Sequence, residues 1–101
     1  GDMKLLTKQI LKRLPPLYSQ EKVADPVAQV KFFNPAGAGT WYATEFDGVD
    51  KFFGLVILHE RELGYFSLSE LQSYRGSFGL GIERDKFFEP QPLSKLRRLE
   101  A

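Results

Sequence analysis

The arrangement of the aromatic residues constrains the fold of this chain more than any other feature of its sequence. Nine Phe, four Tyr and one Trp make up 14% of the 101 residues, and ten of these rings stand in adjacent pairs. Neighbouring side chains on a strand point to opposite faces of a sheet. Four of the pairs lie in segments that read as strands, so we expect rings on both faces of one sheet. The pairs are Phe32-Phe33, Trp41-Tyr42, Phe52-Phe53, Tyr65-Phe66 and Phe87-Phe88.

The second face of such a sheet is either covered or open, and the two alternatives have different consequences. We expect helices and the C-terminal segment to cover it, because a sheet with one solvated face normally alternates apolar with polar residues. An open face would instead offer its rings to nucleic-acid bases or to a protein partner. For that case Trp41 and Tyr42 are the candidate contact residues. Exposed Phe or Tyr rings would also favour a dimer.

The remaining pattern predicts one α+β domain over residues 1–101, built on a four-stranded antiparallel meander sheet with short flanking helices. Asp47-Gly48 predicts a tight turn at the centre of the meander, because glycine tolerates a positive φ. Thr7 and Ser67 are predicted to cap two of the helices at their N-termini, and Pro15-Pro16 ends the first. The strands are predicted over 28–33, 40–47, 51–59 and 63–66, a further short strand over 84–88, and the helices over 8–14, 68–74 and 93–99.

Composition excludes several classes of protein. The chain has no cysteine, which excludes a disulfide scaffold, thiolate catalysis and a Cys-ligated zinc site. It contains no run of 18 apolar residues, so we expect no membrane span. Its N-terminal segment is amphipathic and lacks the apolar centre of a signal peptide, which favours a cytoplasmic location.

Basic residues concentrate at both ends of the chain, although its net charge is only +1. Lys4, Lys8 and Lys12 follow one another at a helical spacing of four, and Arg97-Arg98 lies near the other end. If both ends met on one side of the fold, they would form a patch for an anionic partner such as nucleic acid. A solvated helix face is the more common explanation of such a stripe.

The only histidine of the chain gives the strongest candidate for catalysis. His59 is adjacent to Glu60 and close to Glu62, a combination that could serve acid–base chemistry or bind a metal ion. A lone histidine near carboxylates is more often a surface or hydrogen-bonded residue. The alternative function that these three residues predict is a small metal-dependent hydrolase or nuclease.

Other candidate sites are weaker. Glu45 and Asp47 share one face of a predicted strand, but pairing about the Asp47-Gly48 turn separates Glu45 from His59, so no compact metal site is expected there. The glycine-rich segment 76–81 lacks the Lys and Ser/Thr of a phosphate loop, and Gly-x-Ser-x-Gly is absent. We therefore expect no cofactor and no bound metal, and an enzyme is the minority interpretation.

Eight segments between residue 3 and about residue 94 carry a family resemblance. They are Lys4-Leu5-Leu6-Thr7, Leu14-Pro15-Pro16-Leu17-Tyr18, Val30-Lys31-Phe32-Phe33, Thr40-Trp41-Tyr42-Ala43-Thr44-Glu45-Phe46-Asp47, Phe53-Gly54-Leu55-Val56, Glu62-Leu63-Gly64-Tyr65-Phe66-Ser67-Leu68, Ile82-Glu83-Arg84-Asp85 and Phe88-Glu89-Pro90-Gln91-Pro92-Leu93. In this order the chain resembles a family of small bacterial proteins that is a domain of unknown function.

The resemblance implies a gene carried on plasmids and integrative elements, often near DNA methylase or helicase genes. It carries over no catalytic residue, and the basic segment 95–98 lies beyond it. We therefore expect a non-enzymatic binding or adaptor module of a mobile element, with a protein or nucleic acid as its partner.

Overall fold

An antiparallel sheet of five strands forms the centre of the computed structural model, which describes residues 5–99 and the side chains of residues 5–97. Its strands are β2 (Val30–Phe33), β3 (Thr40–Phe46), β4 (Lys51–Ile57), β5 (Arg61–Ser67) and β6 (Glu83–Arg84). They lie in the order β5-β4-β3-β2-β6. Two further short strands, β1 (Val27–Ala28) and β7 (Gln91–Pro92), pair with each other. The helices are α1 (Lys8–Arg13), α2 (Leu68–Ser73) and α3 (Leu93–Leu99), with a 3₁₀ turn at Ser77–Gly79.

The α+β class is confirmed, but the predicted four-stranded sheet is wrong by one strand. The fifth strand, β6, pairs antiparallel with β2, Arg84 lying opposite Phe32. This pairing joins segments about fifty residues apart, which periodicity along the sequence does not reveal. The strand predicted over 28–33 is also divided in two at Gln29, whose amide donates to the carbonyl of Ala43 at 2.8 Å.

The local signals at the helix starts and at the central turn are confirmed. The Thr7 hydroxyl accepts the amide of Ile10 at 3.1 Å, which caps α1. Ser67 caps α2 in the same way. Gly48 has a φ of 84°, and the Asp47 carboxylate accepts the amides of the next turn residues. The hairpin between β3 and β4 is therefore closed by the residues that the sequence singled out.

One face of the sheet holds a cluster of phenylalanine rings beneath α1 and α2. Phe52 lies at its centre, 4.4 Å from Phe46 and 5.1 Å from Phe66 between ring centroids. Ile10 of α1 and Leu71 of α2 pack against the same cluster. Burial of these large side chains removes them from water and supplies much of the driving force for folding.

The opposite face is covered over only part of its area. Tyr42 and Leu55 are almost fully buried there against Leu93 and Leu96 of α3. Tyr65, on the edge strand β5, is 50% exposed on this same face. The expectation that the second face is covered is therefore right around Tyr42 and wrong around Tyr65.

A β-bulge in β3 determines which residues reach the incompletely covered part. Ala43 pairs with Gly54, whereas Glu45 pairs with Phe53, so Thr44 is the extra residue. A bulge re-aims the residues beyond it and increases the local twist. Glu45 consequently lies on the same face as Phe53.

Candidate functional site

The uncovered half of the second face forms a cavity that we call the aromatic cleft. It lies between strands β3–β5 and residues 15–26, the rim loop, and has a volume of about 450 Å³. Ligand sites for small organic groups typically occupy about 300–1,000 Å³. The residues that line it are Tyr18, Gln20, Glu21, Val23, Ala24, Pro26, Thr44, Glu45, Phe53, Leu63 and Tyr65.

Two tyrosine rings and one phenylalanine ring form the exposed wall of the cleft. Tyr65 lies 6.5 Å from Tyr18 and 4.9 Å from Phe53 between ring centroids, both in edge-to-face geometry. The ammonium group of Lys51 lies 4.8 Å from the Tyr65 ring centroid. Tyr18 is 56% exposed, so rings that pack on one another are also open to solvent. Such a wall presents apolar area at a low cost in side-chain entropy.

A buried carboxylate holds the rim loop over the sheet. Glu45 is only 3% exposed, and its two carboxylate oxygens accept the backbone amides of Tyr18 at 2.9 Å and Gln20 at 2.8 Å. Tyr18 has a φ of 69°, a left-handed conformation that is uncommon outside glycine. The bonds to Glu45 stabilise this conformation and thereby orient the Tyr18 ring toward Tyr65.

The two ends of the rim loop are also attached to the rest of the fold. The carbonyl of Pro15 accepts the amide of Phe46 at 2.9 Å. Near the other end, the Asp25 carboxylate accepts the amide of Ser94 at 3.0 Å and its hydroxyl at 2.6 Å. The cleft is thus preformed by contacts within the chain.

The hydroxyl of Tyr65 is kept in its neutral form. Burial of the phenol raises its pKa above the usual value, and a hydrogen bond with Tyr18 raises the pKa further. The negative charges of Glu45 and Glu21 act in the same direction. The cleft therefore combines apolar rings with the neutral phenol hydroxyl of Tyr65, which suits an apolar or aromatic group that carries a polar tip.

The two aromatic residues predicted as contacts lie outside the cleft. The Trp41 ring packs against the phenylalanine cluster on the first face, next to Gly39. Tyr42 is 2% exposed and lies 5.6 Å from the Phe88 ring. Both therefore contribute to the core of the fold, and their contact with a partner stays a prediction.

The two basic ends of the chain lie on opposite faces of the sheet. Lys8 and Lys12 are exposed on α1, which packs on the first face, whereas Arg97 is exposed on α3, which packs on the second. Lys4 and the side chain of Arg98 lie outside the described residues. Within the described part of the chain, the basic ends do not form one continuous patch.

His59, Glu60 and Glu62 lie together at the turn between β4 and β5. All three are exposed, and they line a depression of about 370 Å³. Among the residues that the structure describes, no group of three or more His, Asp or Glu side chains is arranged to hold a metal ion. A role of His59, Glu60 and Glu62 in acid–base chemistry stays a prediction.

Tyr18, Val23 and Leu63 line the cleft and were absent from the predicted site. Residues 17–26 read as a connector, because they show neither helical nor strand periodicity. The available signal was the pair Leu17-Tyr18 directly after two prolines, which marks a turn that carries large side chains. Nothing in the sequence pointed to the bulge that brings Glu45 beneath Tyr18.

Three comparisons bear on the family of the chain. A family model described as "Protein of unknown function (DUF2958)" matches residues 5–99. No curated protein matches the chain, and no solved structure does so. No helix among the described residues is long and apolar enough to cross a membrane. The family match spans every described helix and strand, and it attaches no activity to any of them.

Proposed function

Because the chain belongs to the DUF2958 family of proteins of unknown function, we propose a function from its own geometry: it is a non-enzymatic module that binds a protein partner. The aromatic cleft takes an apolar or aromatic side chain of that partner. The observation that carries the proposal is the pair of hydrogen bonds from Tyr18 and Gln20 to the buried Glu45. They hold open a cleft whose exposed rings no described segment covers.

The charges around the cleft favour a protein side chain over nucleic acid. Glu21 lies at the rim and Glu45 beneath it, and both would repel a phosphate group. The ammonium group of Lys51 already lies over the Tyr65 ring. The basic residues of α1 lie on the first face of the sheet, so phosphate contacts there would not bring a base into the cleft.

We place this module in the setting that the family resemblance implies, that of an accessory protein of a plasmid or integrative element. There it would act as an adaptor for DNA-processing proteins. An adaptor needs a preformed recognition surface and no chemical step, and preorganisation reduces the entropy lost on binding. The attachment of the rim loop at Pro15, Glu45 and Asp25 supports this role.

The test uses 4-methylphenol as a stand-in for a partner's tyrosine side chain. We expect a saturable titration of the ¹⁵N-labelled chain, in which the amide shifts are concentrated at Tyr18, Thr44 and Tyr65. Tyr18→Asn removes one ring but suits the left-handed backbone, and it should abolish the saturable shifts. Phe87→Ala removes an exposed ring elsewhere and should leave them unchanged. Wild-type protein without saturable shifts would overturn the proposal.

The two other functions are distinguished by separate measurements. If the protein is a metal-dependent hydrolase or nuclease, a divalent ion should raise its melting temperature. The substitution His59→Ala should then abolish that rise. A nucleic-acid module requires oligonucleotides to change Trp41 fluorescence at low salt, where phosphate contacts are strongest. We expect neither effect, because the described His59 cluster holds no metal geometry and the basic ends are separated.

A further inference from the structure

The two edges of the five-stranded sheet differ in length. One edge is β6, which has two residues, and the other is β5, which has seven. Strand β5 pairs with β4 without a shift in register and contains no proline. Within the described part of the chain it pairs with no other strand. A long, regular edge is a template for the addition of another strand, whereas a very short edge is protected.

The hydrogen-bond alternation of the β4–β5 ladder shows which backbone groups point outward. At one end the Leu68 amide donates to the Asp50 carbonyl at 2.8 Å. At the other end the Leu58 amide donates to the Glu60 carbonyl at 3.2 Å. Hydrogen-bonded and non-hydrogen-bonded pairs alternate along an antiparallel ladder. Counting inward from either end therefore identifies the same residues of β5 as hydrogen-bonded to β4. The residues of β5 that bond to β4 are Glu62, Gly64 and Phe66.

The residues between them direct their amides and carbonyls away from the sheet, and they carry exposed apolar side chains. Leu63 is 46% exposed and Tyr65 is 50% exposed. Both lie on the face of the aromatic cleft, opposite Leu55 and Phe53 of β4. A depression of about 370 Å³ runs along this edge. A strand added here would satisfy open backbone groups and bury apolar area in the same contact.

We propose that the added strand is β5 of a second copy of this chain, antiparallel to the first about a two-fold axis at Gly64. Gly64 is the middle residue of Arg61–Ser67, so this register pairs all seven residues of both strands. It places Leu63 of each copy opposite Tyr65 of the other. Both members of each such pair have outward backbone groups, so they exchange hydrogen bonds directly.

The side chains are compatible with this register. Glu62 lies opposite Phe66 and Arg61 opposite Ser67, so no like charges meet across the interface. At the axis, a Cβ added to Gly64 would have no atom within 4 Å, so no described part of the same chain packs over the middle of the edge strand. An axis at Leu63 or Tyr65 instead would pair only five residues within the strand.

The result is a continuous sheet of ten strands with two aromatic clefts on one face. The pairing does not depend on the function proposed for the cleft, because it follows from the edge alone. With both in place, the dimer would be a bivalent module, in which the second binding event is intramolecular and gains effective concentration.

The test compares the oligomeric state of three proteins by sedimentation equilibrium over a dilution series. The wild type is expected to be a dimer. L63K/Y65K sets lysine opposite lysine at both pairs and should yield a monomer. L63E/Y65K changes the same two residues but sets glutamate opposite lysine, and it should dimerise. We expect the dissociation constants of the two variants to differ about tenfold or more, since each pair contributes up to about 1 kcal/mol.

Both substituted side chains are about half exposed, so circular dichroism spectra and melting curves should show folded protein for all three. A wild type that is monomeric throughout the dilution series overturns the proposal, and it would be the result if the edge served a strand of a different protein. Equal dissociation constants for the two variants also overturn it, because the register about Gly64 would then be wrong. If the wild type dimerises but does not bind 4-methylphenol, only the function proposed for the cleft is contradicted.

Discussion

The buried carboxylate of Glu45 accepts the backbone amide of Tyr18 at 2.9 Å, across 27 residues of sequence. The bulge at Thr44 turns Glu45 onto the second face of the sheet, and the bond then holds Tyr18 in a left-handed conformation. Through this contact an irregularity in one strand determines the shape of a cleft on the surface. The exposed rings are oriented by the same contact.

Replacement of Glu45 by glutamine should destabilise the fold. Gln keeps one acceptor oxygen but sets an amide donor against the second backbone amide, which is left without an acceptor at a cost of about 1–3 kcal/mol. Urea denaturation of Glu45→Gln should show this loss in the free energy of unfolding. Glu62→Gln, which changes an exposed carboxylate, should stay within about 0.5 kcal/mol of the wild type. Equal losses for the two variants would mean that the hydrogen bonds contribute little.

Two glycines paired across β4 and β5 should respond differently to alanine. A Cβ on Gly54 would come 1.8 Å from the carbonyl oxygen of Tyr42, whereas one on Gly64 meets nothing within 4 Å. Gly54→Ala forces the backbone of β3 to move and should cost at least about 1–3 kcal/mol. Gly64→Ala should be close to neutral. Melting temperatures measure the contrast, and similar values for both would contradict the close approach at Gly54.

The sequence predicted most of the helices and strands because their signals are local. Caps at Thr7 and Ser67 and the turn at Gly48 involve residues within four positions of one another. The pairing of β6 with β2 was missed because it depends on which distant segment reaches a free edge. The short strand predicted over 84–88 is reduced to Glu83–Arg84, and only the folded chain shows that it joins the sheet as the fifth strand.

The cleft was less predictable than the fold. The aromatic pair Tyr65-Phe66 showed that one ring would reach the second face, but its exposure depends on how far the rim loop extends over the sheet. That loop was predicted only as a connector. The position of the loop depends on Glu45, whose side chain reaches the second face of the sheet because of the bulge at Thr44. No feature of the sequence indicated this bulge. Trp41 and Tyr42 form an adjacent aromatic pair on a strand just as Tyr65 and Phe66 do, but they pack in the core of the fold.

Asp47 should make the stability of the hairpin depend on pH in the acid range. Amides of the turn, beginning with Val49, donate to its carboxylate and hold its pKa below the usual value. A lowered pKa in the folded state stabilises the protein at neutral pH, and this contribution is lost as the pH falls below about 4. Asp47→Asn should therefore be less stable at neutral pH and lose less stability on acidification.

Thermal unfolding at a series of pH values measures this effect. Glu89→Gln, which changes an exposed carboxylate in another segment, serves as the control and should retain the acid dependence of the wild type. A dependence in Asp47→Asn as steep as that of the wild type would contradict the assignment.

Tyr65 should ionise at a higher pH than an ordinary tyrosine. Burial and the hydrogen bond with Tyr18 both raise its pKa above about 10. Tyr18→Phe removes the hydrogen bond and should lower the pKa of Tyr65, which stays above the usual value because burial persists. A ¹³C NMR titration of the tyrosine rings measures the shift. Tyr74→Phe, outside the cleft, should leave Tyr65 unchanged; an unchanged pKa in Tyr18→Phe would contradict the contact.

The central claim is that Glu45 holds open a cleft that binds a partner's side chain. Its most direct test is the dissociation constant of 4-methylphenol, measured by amide shifts for the wild type, Glu45→Gln and Glu62→Gln. We predict saturable binding to the wild type and to Glu62→Gln, and binding weakened about tenfold in Glu45→Gln, equivalent to about 1.4 kcal/mol. The amide shifts of β2–β4 outside the cleft should be retained. Equal dissociation constants in all three proteins would contradict the claim.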